Sequence, residues 1–181
     1  PKQETCVSRS FSRPITSLAE LREAVATYVV RAAEKLRKQQ QRAASLSVYT
    51  RTSPFVPGFY SRSASIHLDL PSNDTKTLLN AALPLVERIF QPHRQLAKAG
   101  VLMEHLQDTE QLQHHLLVPC SAAHLQRRDT LMNTIDGLNR RYGRGTVQWA
   151  ACGLHSGWSM RRERLGRAAT TRLSDVPVVQ A

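Results

Sequence analysis

Aromatic side chains are scarce, at 6% of the 181 residues. Packing must therefore rest on Leu, Val and Ala. Long hydrophobic runs are missing as well. The apolar stretches last a few residues, far short of the ~20 that a membrane-spanning helix needs. Cysteine is rare: Cys6, Cys120 and Cys152 are odd in number and widely spaced. No disulfide framework follows, and a reducing cytoplasm fits. No signal-peptide pattern opens the chain, and no initiator Met either. An opening at Pro1 reads as a fragment or a processed piece.

Catalytic patterns are also lacking. No Asp-x-Asp or Asp-Glu pair could hold two magnesium ions. No G-x-x-x-x-G-K-[ST] phosphate loop occurs, and Gly143-Arg144-Gly145 is too short to replace one. His114, His115, Cys120 and His124 match no structural zinc spacing. Cys6 falls in a strand-like stretch, with no His placed beside it by sequence. No active site is visible, and no metal or cofactor is implied in this chain.

What the chain has is positive charge. Its 25 Lys and Arg outnumber 14 Asp and Glu, a net charge of +11. Such an excess points to a polyanionic partner, nucleic acid first. The plain alternative is a basic protein whose charge serves solubility.

The periodicities predict an α+β domain in the order β-α-β-β-α-β. Residues 4–12 read as a strand that ends before Arg13-Pro14. Ser17 and Glu20 form a capping-box pattern for a helix reaching Gln41, with Leu18, Leu21, Val25, Tyr28, Val29, Ala32 and Leu36 on its apolar face. Residues 45–52 and 60–70 alternate and pair as a hairpin, closed by Pro71. Ser72 to Asp74 suits the start of a second helix, which Pro84 should kink. Residues 96–106 make a last strand. One sheet face should lie under both helices, and the other, rich in Ser, Tyr, Arg and His, should stay open. Residues 107–126 read as a linker, and 127–142 as a short amphipathic helix that Gly143 and Gly145 stop. From Arg140 onward there are eight Arg, two acids and no Lys.

Two groups of residues carry functional expectations. Arg9, Ser10, Arg13, Arg51, Arg62 and Lys98 form a candidate DNA-contact set, since cations on strands neutralise phosphates. Strand parity sends Arg62 to the apolar side, so it is weaker than Arg51; a merely solvated charged face is the alternative. Gln113, Leu116 and Leu117 suit a peptide anchored in a groove of another protein, the alternative being a loop folded onto its own core.

Several stretches together resemble the C-terminal part of UmuC-like Y-family translesion DNA polymerases. They include Ser8-Arg-Ser-Phe-Ser-Arg-Pro14, Arg51-Thr-Ser-Pro-Phe55, Lys98-Ala-Gly-Val-Leu-Met103, Leu138-Asn-Arg-Arg-Tyr-Gly-Arg-Gly-Thr-Val147 and Met160-Arg-Arg-Glu-Arg-Leu165. Their order is kept over nearly the whole chain. The resemblance implies a little-finger domain at residues 1–106, which grips the template–primer duplex. It implies a linker at 107–126 carrying a sliding-clamp-binding peptide of the pattern Q-x-x-L-[FL], met by Gln113, Leu116 and Leu117. It implies a UmuC-type extension at 127–181 that contacts a UmuD′-like accessory protein and RecA. The parent would be an error-prone polymerase of SOS mutagenesis and DNA repair, with magnesium held outside this chain. A stand-alone nucleic-acid-binding module, or a decoy for clamp or accessory protein, are the rivals. The chain departs from the family pattern in a short Phe55–Tyr60 loop, Leu96 in place of an aromatic, Pro84, Gly166-Arg-Ala-Ala169 before Thr170, and Leu173 in place of Trp.

Overall fold

Alternation in the strands separates two environments. Leu46, Val48 and Thr50 are fully buried on one side of a strand, while Ser47, Tyr49 and Arg51 between them stay half-buried on the other. In the computed structural model, which describes residues 2–109, 122–154, 157–159, 174 and 176, that strand lies inside a four-stranded sheet. The elements are β1 (Glu4–Ile15), α1 (Leu18–Lys38), β2 (Gln41–Thr52), β3 (Ser61–Ser72), α2 (Thr75–Ile89), β4 (Leu96–Asp108) and α3 (Ala122–Tyr142), then a 3-10 turn at Ala150–Cys152. Spatial order is β1-β4-β2-β3, with every neighbouring pair antiparallel. The α+β class and the β-α-β-β-α-β order are those expected from the sequence.

The helices α1 and α2 pack on the sheet. From α1 come Leu21, Val25, Tyr28, Val29 and Leu36; from α2 come Leu78, Ala82, Leu85, Val86 and Ile89. They meet Val7, Leu46, Val48, Val101 and Met103 of the sheet in one apolar core. Aliphatic side chains supply nearly all of it, as the scarcity of aromatics requires.

Several boundaries differ from expectation. β1 runs through Pro14 to Ile15 instead of ending at residue 12. It is an edge strand, and the register slips between Ser10 and Ile15, so the missing proline N–H breaks no ladder bond there. β3, the other edge strand, likewise contains Pro71 instead of ending at it. α1 stops at Lys38, not Gln41, because Gln39 and Gln40 form a tight turn with Gln40 at φ 53°. The expected capping box does not form. Ser17 makes no side-chain cap bond, and Glu20 pairs with Arg13 instead. At α2 the cap is as expected: the Asp74 carboxylate accepts from the Thr77 N–H at 2.7 Å. α2 passes through Pro84, which is exposed. Both ends of the segment 107–126, expected as a linker, belong to regular elements: β4 extends to Asp108 and α3 begins at Ala122.

α3 docks on the sheet domain through charge. Arg37 holds the Asp136 carboxylate with two bonds, Nε at 2.6 Å and Nη2 at 2.9 Å. Arg42 reaches Asp129 at 3.0 Å, and Arg128 grips Asp74. Burial pushes the Asp74 carboxyl up, but the bonds from Arg128 and Thr77 outweigh it and hold it below the usual carboxylate range. Met132 of α3 is buried as well. Further along, Trp158 is 5% exposed and meets Phe11 and Tyr28 edge-on, with ring centroids 6.2 and 5.8 Å away. Its carbonyl accepts from the Ser12 N–H at 3.1 Å, along the free edge of β1. Burial there pushes the Tyr28 hydroxyl up to about 12.

Candidate nucleic-acid interface

Because paired residues on antiparallel strands share a face, the register orders the sheet face away from the core into rows. Ser10, Lys98, Arg51 and Ser61 are successive partners across all four strands. The next row holds Ser8, Gly100, Tyr49 and Ser63. Then come Cys6, Leu102, Ser47 and Ser65, and last Glu4, Glu104, Ser45 and His67. The face is thus polar along its length and graded in charge. It has two cations in the first row and two carboxylates in the fourth, about 20 Å apart at ~6.7 Å per row.

The cationic row is available to a ligand. Among the described residues, neither Arg51 nor Lys98 has an acidic partner. Beside it lies Tyr49. A Cβ on Gly100 would stand 2.7 Å from the Tyr49 ring and 2.6 Å from the Ser8 Cβ, so only glycine lets the ring lie over β4. The result is a flat, half-polar surface next to two charges, suited to a sugar–phosphate strand. From the third row the Ser47 hydroxyl donates to Glu104 of the fourth at 2.7 Å, and the rings of His67 and the neighbouring His105 stack with centroids 5.8 Å apart.

The candidate residues separate cleanly. Ser10, Arg51 and Lys98 share one row of the open face. Arg9 and Arg62 do not join them. They lie in register with the buried pair Ala99 and Thr50, hence on the helix side, at opposite edges of the sheet. Parity anticipated this for Arg62; Arg9 follows the same rule. Arg13 is engaged by Glu20. Gln113, Leu116 and Leu117 fall outside the described residues. Sequence reading missed the Tyr49–Gly100 contact, whose signal was a lone glycine within a strand. It also missed the anchoring role of Trp158.

Among the described residues, no three His, Cys, Asp or Glu side chains come together in a group that could hold a metal ion. Cys152 borders a cleft of about 590 Å³ between α1 and α3, but burial pushes its thiol up and keeps it a poor nucleophile. Among the described residues, no helix is long and apolar enough to cross a membrane.

Residues 2–116 match the family model described as the impB/mucB/samB family C-terminal domain. The chain belongs to that family. Residues 129–179 match a second model, DUF4113, a domain of unknown function. Relatives of the impB/mucB/samB chain include Protein SamB of Salmonella typhimurium, 35% identical over 182 residues, and Protein UmuC of Salmonella typhimurium strain LT2, 36% identical over 177. These alignments cover 99% and 97% of this chain but 42% of each relative, so the chain spans about two-fifths of their length. Protein MucB of Escherichia coli is 34% identical over 98% of the chain and 41% of the relative. A solved complex of the beta-clamp processivity factor with the little finger domain of PolIV is similar at a TM-score of 0.42 and 15% identity, over 65% of this chain and 99% of that one.

Proposed function

We propose that this chain is the DNA-gripping and partner-docking part of a UmuC-type translesion DNA polymerase. The observation that supports it best is the Arg51–Lys98 row, without an acidic partner among the described residues, on an open polar sheet face in a chain of net charge +11. The row would take phosphates of the template–primer duplex, and the hydroxyls of Ser10 and Ser61 would extend the contact. Gln113, Leu116 and Leu117 would tether the enzyme to a sliding clamp. The extension from residue 127 would meet a UmuD′-like accessory protein and RecA during SOS mutagenesis in the cytoplasm. Nucleotidyl transfer would belong to magnesium-binding carboxylates outside this chain.

Fluorescence anisotropy with a short duplex tests the grip. For wild type, log affinity should fall linearly with log salt. Arg51→Ala together with Lys98→Ala should lower that slope by about 2, roughly one phosphate each. An unchanged slope would refute the assignment. For the tether, Leu116→Ala with Leu117→Ala should abolish clamp binding and leave duplex affinity intact. Clamp affinity that survives both substitutions would leave the clamp reading without support.

A further inference from the structure

The hairpin turn between β2 and β3, residues 53–60, exposes a close group of large apolar side chains. Two of the chain's four Phe are there, Phe55 at 93% and Phe59 at 54% exposure, with Val56 between them at 56%. Exposing large apolar groups in water is unfavourable, so a cluster of them marks a contact surface. The turn is not slack. The Thr52 N–H donates to the Tyr60 carbonyl at 2.9 Å, and the Tyr60 N–H donates to the Thr52 hydroxyl at 2.9 Å. Pro54 and Pro57 fix two further backbone angles. At Gly58 the backbone turns at φ 80°, which glycine allows.

The surroundings name the kind of partner. No Asp or Glu occurs anywhere between Lys35 and Leu68. The tip closes the cationic end of the sheet, just beyond the Arg51–Lys98 row. Arg94 stands over the Tyr60 ring at 5.2 Å and borders Gly58. Aromatic rings interleaved with cations and free of acids suit single-stranded nucleic acid, whose bases stack while its phosphates are neutralised.

We propose that Phe55 and Phe59 stack on unpaired nucleobases next to the duplex held by the open sheet face. The inference rests on the DNA-grip reading above and adds a second kind of contact to it. The tip would thus sense where duplex gives way to a single strand.

The test compares the 181-residue chain on a blunt duplex with the same duplex extended by a single-stranded overhang that carries 2-aminopurine. Wild type should bind the overhang DNA about tenfold more tightly and quench the 2-aminopurine by stacking. Phe55→Ala with Phe59→Ala should remove the preference and the quenching while leaving blunt-duplex affinity unchanged. Both residues are exposed, so folding should survive, which circular dichroism checks. Equal affinity of wild type for the two DNAs would overturn the inference and leave the grip reading standing. A preference that persists in the double variant, as expected if the tip instead serves a protein groove, would also overturn it. Failure of wild type to bind either DNA would overturn the grip reading and this inference together.

Discussion

Replacing Arg37 is the sharpest test of how the extension is held. Its side chain is 9% exposed, and that of Asp136 is 15% exposed. Besides its two bonds to Asp136, Arg37 donates through Nη1 to the Asn73 carbonyl at 2.7 Å and the Thr75 hydroxyl at 3.0 Å. One guanidinium thereby ties the end of α1 to the start of α2 and to α3. Arg37→Ala would leave the Asp136 carboxylate desolvated without a counter-charge, at a cost of about 3–5 kcal/mol. Asp136→Asn keeps the shape and an acceptor, and should cost less, about 1–3 kcal/mol. Arg37→Met together with Asp136→Leu removes both charges and should recover only part of the loss, because a buried pair is worth little relative to an apolar replacement but the Asn73 carbonyl and Thr75 hydroxyl still lose their donor. Equilibrium urea unfolding followed by far-UV circular dichroism reads all four proteins. A loss below about 1 kcal/mol for Arg37→Ala would refute the docking of α3, since breaking a pair buried only in one conformation of a loose helix costs little.

Three further outcomes are expected. Trp158→Ala should lower stability by about 3–5 kcal/mol, because it empties a site between Phe11 and Tyr28; a melting temperature within a degree or so of wild type would contradict the anchor. Gly100→Ala forces a Cβ into the Tyr49 ring and the Ser8 Cβ, and should cost about 1–3 kcal/mol by urea titration; an unchanged midpoint would mean that the ring lies elsewhere. Asp74 has a depressed pKa in the folded state. Its stabilisation is therefore full above the unfolded carboxylate value of about 3.9 and is lost as pH falls through the lower folded value. Unfolding free energy should drop more steeply with acid below about pH 4 in wild type than in Asp74→Asn, and parallel curves would sink the assignment.

The order of elements was legible because period-2 and period-3.6 patterns are strong in this chain. Leu46, Val48 and Thr50 alternate without interruption, and the apolar stripe of α1 runs from Leu21 to Leu36. The ends of elements were less legible. Pro14 and Pro71 argue against strand in isolation, yet both lie on edge strands where a missing donor is harmless. Ser17 and Glu20 spell a capping box, but Arg13, seven residues before Glu20, offers the carboxylate a charged partner. Parity alone placed Arg62 correctly. Applied to Arg9 it would have done the same, since Arg9 lies two positions from the buried Val7. The rows of the open face could not be read at all, because register between β1 and β4 joins segments about ninety residues apart. The docking of α3 depends on the same kind of long-range pairing, here between charges.

The two ends of the sheet domain are built for different neighbours. At one end stand the Arg51–Lys98 row and the Phe55–Phe59 tip, with the cation of Arg94 beside them. At the other end are Glu4, Glu104 and Asp108, and from Asp108 the chain leaves toward residues 110–121. On the open face, a polyanion is favoured at the first end and disfavoured beside the Glu4–Glu104 row. α3 is fastened near this second end, through Arg37, Arg42 and Asp74, while Trp158 is seated between Phe11 and α1. Among the described residues of the extension, these anchors leave the cationic row of the open face uncovered. Among the described residues, the anchors of the extension and the cationic row therefore lie on different surfaces. If the peptide that follows Asp108 binds a clamp, as proposed, its attachment point is the end of the open face that carries Glu4 and Glu104, opposite the cationic row. Wild-type chain saturated with duplex should then bind the clamp as tightly as free chain, and a large loss of clamp affinity on adding DNA would show that the two surfaces overlap.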